Sequence, residues 1–571
     1  MKNKLILNQF LPLEELQKTL PREKLLDLEF ILKVLSTDGK KIRSIFEEEE
    51  ILGQIHSSLN ISKITKKEFR RKLFDVSSPN IPSVWENYFS QFGITKKISE
   101  MSDSEFKKNI EKYVEFKWDD NDITKKFLEV FDYPDYLISD KNDVIPEKEI
   151  VYGENAKFEP LKMLLGYQAS IVEKALKKLE NLNARCLIQM PTGTGKTRTA
   201  MEILSNILNH NPNMQIVWFA NSSELLEQAH DSFIHIWNHV GKYPLTVVNA
   251  WGSKQIPKIP EENVLVFAGY AKMNNFLEKN SSLKPHYIII DEAHRILAPT
   301  YKKSLYQLAN FENSTRIIGL TATPGRGIDE VQNNLLVDEF QGQIIQIELN
   351  EQLKKIYEKN IIKYLEDEEI LSKAIYTQLQ TKFMIDLSKK DSSELKKLVE
   401  GDRPEFSSEF LERLGNDNDR NLLIIEELKK YAENGKKILF FATDVSQSIL
   451  VFTVLQKLGI KAIHVDGNSD RSFRRQIIKK FKDTNEINII CNYDIFSTGF
   501  DVPDLDVVFI GRPVNSPVLL SQIIGRGTRG PRMGSKNNSF LLVQVTDLIQ
   551  TNDSNFNPYE QYVYWDKNWN D

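Results

Sequence analysis

Seven residues, Pro191-Thr192-Gly193-Thr194-Gly195-Lys196-Thr197, constrain this chain more than any others. They follow a short apolar run, Cys186 to Met190, and precede a helix-like stretch, Arg198 to His210. A strand, a glycine-rich turn and a helix in that order are what a phosphate-binding loop requires. Glycine lets the backbone wrap a phosphate chain, and amides at a helix start point toward it. Thr192, Gly193, Thr194 and Gly195 are the expected cradle. Lys196 is placed to reach the outer phosphates of a nucleotide, and the Thr197 hydroxyl to hold Mg²⁺. Met190 stands where such a loop usually begins with Gly or Ala.

A chain of 571 residues has room for three to four domains at about 150 residues each. Its net charge of −5 gives no global basic field, so any nucleic-acid binding must rest on a local groove. Cys186 and Cys491 both sit in apolar runs. Buried free thiols in a reducing cytoplasm are expected, and two cysteines cannot build a zinc site. With no run of about 18 apolar residues, no membrane span is expected. The apolar run in Met1 to Asn8 is too short for a signal peptide.

Periodicity divides the chain. Residues 1–155 read as a helical N-terminal domain, with Leu25, Leu28, Leu32 and Leu35 at three- and four-residue spacing. The basic segment Lys63 to Lys72 within it reads as a solvated helix face or as a phosphate-contacting one. Residues 156–345 alternate strands and helices, with strands expected at 186–190, 215–220, 263–268, 287–290 and 316–320. Residues 346–420 are Lys/Glu/Leu-rich and read as a helical insert. Alternation returns over 421–550, with strands expected at 437–441, 462–465, 487–491, 507–510 and 540–545. Residues 551–571 form an Asn-rich, aromatic tail. The pattern predicts an α/β protein: two parallel-sheet domains in tandem, with a helical N-terminal domain and a helical insert.

Asp291-Glu292-Ala293-His294 follows the apolar run Tyr287 to Ile290. Acids at the carboxyl end of a buried parallel strand sit at the crevice where ligands bind in open α/β sheets. Asp291 is placed to hold Mg²⁺, and Glu292 to orient or deprotonate an attacking water. His230, His235 and His239 cluster without an acidic or Cys pattern, so they read as structural or surface residues. Asp135, Glu147 and Lys148 lack the spacing of a nuclease centre.

With these motifs in order, residues 160 to 548 resemble the superfamily-2 helicases of the DEAD/DEAH-box type. The resemblance is to their restriction-enzyme motor subunit (ResIII-like) group. Leu164-Leu165-Gly166-Tyr167-Gln168 resembles the adenine-reading segment, with Leu165 where an Arg is usual, and implies that Gln168 meets the adenine edge. Asn221, Ser222 and Gln228 lie in a stretch similar to the first strand-contacting motif. Tyr270 stands where a Thr-Tyr pair is common. His294, Thr321 and Thr323, the last two in Thr321-Ala322-Thr323-Pro324, resemble residues that couple nucleotide state to strand grip. In the second unit Thr443, Ser497 and Thr498 are implied strand contacts, and Gly499 and Asp501 nucleotide contacts. Gln522-Ile523-Ile524-Gly525-Arg526-Gly527-Thr528-Arg529 matches Q-x-x-G-R-x-x-R. There Gln522, Arg526 and Arg529 would stabilise charge building on the γ-phosphoryl oxygens.

The resemblance implies two RecA-like domains using ATP and Mg²⁺ as an ATP-dependent translocase or helicase, with DNA favoured as the track and an RNA helicase as the runner-up. It also implies a setting in restriction or anti-phage defence. A nucleotide-controlled interaction subunit is the alternative, with a nuclease-bearing protein partner docked on residues 1–155.

Overall fold

The computed structural model of the chain describes residues 22–35, 64–71, 82–130, 133, 137–138, 145–153, 163–277, 283–309, 315–322, 330–357, 360–386, 406–469, 471–493, 495, 504–514 and 517–550. Thr323, Ser497, Thr498, Gly499 and Asp501 lie outside these residues, as do Asp135 and the tail 551–571.

Among the described residues two sheets stand in tandem. The first contains β1 (Lys148–Val151), β2 (Arg185–Gln189), β3 (Gln215–Ala220), β4 (Leu245–Ala250), β5 (Val264–Gly269), β6 (Tyr287–Asp291), β7 (Arg316–Thr321) and β8 (Ile344–Ile345). Their spatial order is β1-β4-β5-β3-β6-β7-β2-β8. Every pairing is parallel except β1 with β4. The second contains β9 (Lys373–Asp386), β10 (Ile438–Phe441), β11 (Ala462–Val465), β12 (Ile489–Asn492), β13 (Val507–Ile510) and β14 (Ser539–Gln550), in the order β11-β12-β10-β13-β14-β9, all parallel.

The strand sequences explain the layering. A parallel strand covered on both faces reads as a continuous apolar run, as in Ile216 to Ala220 or Tyr287 to Ile290. Alternate residues then feed opposite cores. Ile216, Trp218, Leu265 and Ile289 join one cluster, while Val217, Phe219, Val266, Ile288 and Ile290 join another. The second sheet repeats this with Ile438 and Phe440 against Leu439 and Phe441.

The α/β class and the two parallel sheets agree with expectation, and every strand expected from the sequence is present. Four strands lie outside that set: β1, β4, β8 and β9. β9 corrects the reading of 346–420 as wholly helical. It is a 14-residue edge strand, hydrogen-bonded to β14 along its length. An edge strand buries little, so it needs no apolar run: Ile375 is 50% exposed and Lys373, Thr377, Gln378 and Gln380 face solvent. β1 likewise falls within the stretch read as helical. Among the described residues, no helix is long and apolar enough to cross a membrane.

The described N-terminal helices pack against the second unit on opposite sides of its sheet. Leu28 and Ile31 of the helix Arg22–Leu35 share a core with Ile424, Leu450 and Val451. Trp85, Tyr88, Phe89 and Phe127 belong to the cluster on the opposite face, with Ile463 and Phe473. In the basic segment Lys66, Lys67 and Arg71 are exposed, as on a solvated helix face, while Lys63 and Lys72 lie outside the described residues. Arg70 is buried, donates to the carbonyls of Ile64, Thr65 and Phe116, and lies over the rings of Phe116 and Trp118. Burial lowers its pKa to about 10. Lys67 and Arg71 both pair with Glu115.

Candidate functional site

The carboxyl end of β2 runs into the glycine-rich loop and then the helix Lys196–His210. Gly193 and Gly195 have φ of 90° and 82°, the left-handed region that glycine enters without a Cβ penalty. Space forbids a side chain there as well. A Cβ on Gly193 would lie 2.8 Å from Thr528 Oγ1, and one on Gly195 2.5 Å from Gln168 Nε2. The loop is braced from within by the Thr194 hydroxyl donating to Pro191 O at 2.7 Å.

Order in the sheet brings the acids to this loop. β6 ends at Asp291, two strands from β2 with β7 between. Lys196 Nζ lies 3.2 Å from Glu292 Oε1 and 3.6 Å from Asp291 Oδ1. His294 Nδ1 approaches Glu292 Oε2 at 3.4 Å. Glu292 holds φ 52°, ψ 55°, a left-handed conformation that costs a non-glycine residue of the order of 1 kcal/mol. Its backbone N–H donates to Asp291 Oδ1 at 3.0 Å, which fixes the turn that carries both acids.

Burial works against charge on all three groups, and their neighbours decide the outcome. In Lys196 the Glu292 and Asp291 carboxylates outweigh burial and hold the ammonium above its ordinary pKa. Burial raises Asp291, and the adjacent Glu292 charge adds to the rise. Burial alone would raise Glu292 too, but Lys196 and His294 hold it below its ordinary value. Of the two acids, Glu292 is the one whose neighbours favour its ionised form.

The second unit closes the site. A cleft of about 530 Å³ is lined by Thr192, Gly193, Gly195, Lys196, Thr197, Asp291 and Glu292 from the first unit. Gln522, Arg526, Arg529 and Met533 from the second complete it. The arginine segment touches the loop directly, for Thr528 Oγ1 donates to Thr192 O at 3.2 Å. Gly525 leaves no room for a Cβ, which would fall 2.2 Å from Thr192 Cγ2.

Of the other expected residues described, Gln228 lines the cleft and the rest do not. Gln168 is buried behind the loop, with its amide engaged by Leu165 N and Thr194 O, so here it braces the loop rather than presenting a free edge. Tyr270 is stacked between Phe219 and Tyr301, with ring centroids 4.8 and 4.1 Å away, and is buried. Thr443 is also buried, its hydroxyl bonded to Asp444 and Gln447. Thr321 is buried at the end of β7, where its carbonyl accepts from Met190 N. Ser222 caps the helix Ser223–Val240 by accepting from Leu225 N, with Asn221 just before it.

Sequence reasoning missed part of the wall. Leu225, Ser232, His235, Ile236 and His239 line the cleft along with Gln228. Their three- and four-residue spacing puts them on one face of a helix, a signal that was present in the sequence. His230 points away and bridges to Glu149 Oε1 of β1 at 2.6 Å and to Asp231 Oδ1 at 3.0 Å. Among the described residues no group of three or more His, Cys, Asp or Glu is arranged to hold a metal ion.

Two ion pairs tie the same helix to the second unit: Arg474–Glu224 at 2.8 Å and Arg475–Glu227 at 3.1 Å. They are partly buried and link the two units beside the cleft. Reversing one charge, Arg474→Glu, is expected to raise the KM for ATP roughly fivefold, as about 1 kcal/mol of closure is lost. Adding Glu224→Arg should restore it. A KM that the double variant leaves raised would deny the pair this role.

Residues 161–326 match the family model described as the res subunit of type III restriction enzymes, and residues 420–530 match the helicase conserved C-terminal domain. The chain is similar to IRC3 of Saccharomyces cerevisiae, with 25% identity over 64% of this chain and 49% of that protein. It is 28% identical to a 51.5 kDa protein of a Lactococcus phage, over 60% of this chain and 62% of the relative. A match to the ATP-dependent DNA helicase MPH1 of Scheffersomyces stipitis has 28% identity over 39% of this chain and 20% of MPH1. Among solved structures, the DNA-bound Type ISP restriction-modification enzyme LlaBIII aligns over 72% of this chain and 30% of its own, at 15% identity and a TM-score of 0.47. The chain spans about half to three-fifths of the length of the first three curated relatives.

Proposed function

We propose that this chain, a superfamily-2 helicase of the ResIII-like group, is an ATP-driven motor that moves along DNA. One observation carries the reading: Lys196, Asp291 and Glu292 of the first unit share a cleft with Gln522, Arg526 and Arg529 of the second.

The donor set fits a magnesium nucleotide. Gly193 and Gly195 line the cleft, and Thr197 and Asp291 supply a hydroxyl and a carboxylate on it. Those two residues would hold Mg²⁺, which supplies charge neutralisation at the phosphates when bound. Lys196 binds the outer phosphates. Glu292, kept ionised, orients the attacking water and takes its proton. Arg526 and Arg529 stabilise charge on the transferring phosphoryl group from across the cleft. Turnover thus depends on the units being closed, and loss of the outer phosphate removes what both sides hold. Asn221, Ser222 and Gln228 at the start of the helix Ser223–Val240 are the strand-gripping candidates on the first unit.

DNA is the proposed track because MPH1 is named a DNA helicase and because the first unit matches a restriction-enzyme subunit. That match also supports a motor role in a restriction or anti-phage assembly, with a nuclease-bearing partner on the N-terminal region. Two buried free thiols suit a cytoplasmic location.

The test is ATP turnover by the full chain with single-stranded DNA, duplex DNA or RNA. We expect at least one DNA form to stimulate turnover by about tenfold or more. Stimulation by RNA alone would reverse the choice of track, and no hydrolysis under any condition would end the motor reading.

A further inference from the structure

The two units are joined by the connection that follows the helix Ile361–Asp367. Its apolar side chains belong to the first unit, since Ile362, Leu365, Ile370 and Leu371 lie in the core that holds Ile188 and Ile345. Its backbone belongs to the second. Ser372 N donates to Thr528 O at 2.7 Å, Gly530 N to Ile370 O at 2.9 Å, Arg532 N to Glu369 O at 3.1 Å and Lys373 N to Asn538 O at 2.9 Å. Leu371 and Arg529 form an antiparallel bridge. The connection then continues as β9.

Ser372 sits at the centre of this zipper and is 2% exposed. Its hydroxyl lies 2.5 Å from Arg529 O and 2.5 Å from Asn537 O, so one proton serves two carbonyls. The arginine segment is pinned on its other side as well. Thr528 bonds to Thr192 O, and a Cβ on Gly193 would meet both Thr528 Oγ1 and Leu371 Cδ2. The phosphate loop, the connection and the arginine segment therefore form three packed layers, with Ser372 fixing the backbone that carries the Arg529 side chain.

We propose that Ser372 is a positioning residue for ATP hydrolysis, one that sets where Arg529 stands relative to the phosphates. The proposal rests on the ATP-motor reading above. Ser372 touches no substrate; it acts through the Arg529 carbonyl. Reacting groups displaced by about 1 Å lose on the order of 10²-fold in rate. Ser372→Ala leaves two part-buried carbonyls short of a donor and frees this backbone to shift.

The experiment measures kcat and KM for Mg-ATP on the full chain, with melting temperature as a control. Ser372→Ala is expected to lower kcat by about 10- to 100-fold while KM stays within about twofold, because the loop that binds ATP is untouched. Ser372→Thr, which keeps the hydroxyl, should recover most of the loss. Gly530→Ala disturbs the zipper from the other strand, since its Cβ would lie 2.3 Å from Glu369 O at an ordinary φ of −86°. It should reproduce the kcat loss, and it decides the matter should Ser372→Ala not fold. Parent-like kcat in a folded Ser372→Ala or Gly530→Ala chain would overturn the proposal. So would equal losses in the Ala and Thr variants of Ser372. If the parent chain itself does not hydrolyse ATP, the motor reading fails instead.

Discussion

Replacing Lys196 with Ala is expected to abolish ATP turnover, with a fall of about 10³-fold or more. Two effects combine. The ammonium proposed to meet the outer phosphates disappears, and Asp291 and Glu292 lose the cation that lies 3.6 and 3.2 Å from them. Two buried carboxylates left side by side repel, so protonation of one becomes favourable and the base toward water is compromised. Lys196→Arg separates these effects. It keeps the charge beside the acids but changes reach and shape, so it should melt like the parent yet turn over roughly 10²-fold more slowly. Colourimetric phosphate release beside a melting curve reads both. Normal hydrolysis by Lys196→Ala would remove the loop from the mechanism.

Arg529→Ala should be as damaging by a different route. An arginine that stabilises the transferring phosphoryl group contributes about 10³–10⁵ in rate. Its contribution appears mainly in the transition state, so kcat should collapse while a fluorescent ATP analogue still binds. That split distinguishes it from Lys196→Ala, which should weaken binding as well. Arg526→Ala is expected to follow the same pattern. Unchanged kcat in Arg529→Ala would mean that this guanidinium does not face the phosphates during turnover.

The parts of the site that sequence revealed are those where chemistry restricts residue type. A loop that wraps phosphate needs Gly193 and Gly195 at left-handed φ, and the acids must end a buried strand, as Asp291 ends β6. Burial and hydrogen-bond partners are not restricted in this way. Nothing in the string tells that Tyr270 is sandwiched by Phe219 and Tyr301, or that the Gln168 amide is taken up by Leu165 and Thr194. Arg70 reads as one charge among many, yet Phe116 and Trp118, distant in sequence, make it a core residue. The sheets were legible where strands are covered on both faces, as β3 and β6 are. Three of the four strands that were not legible, β1, β8 and β9, lie at sheet edges, and β9 shows weak alternation amid Lys and Gln; the fourth, β4, is buried between β1 and β5. Ser372 carries no signal at all, because its partners Arg529 and Asn537 lie 157 and 165 residues further along the chain.

The placement of the N-terminal region sets a mechanical limit. Gln476 donates to the Ile138 carbonyl, and Leu137 joins the second unit's core. Only a little further along, Pro146 O accepts from Asn249, and Glu147 accepts from Gln255 N, both in the first unit. Eight peptide steps separate Ile138 from Pro146, which span at most about 29 Å when fully drawn out. The chain thus ties the two lobes together a second time, besides the connection bearing Ser372. However the two halves swing, they cannot part by more than this second tie allows at that point unless β1 peels off its sheet.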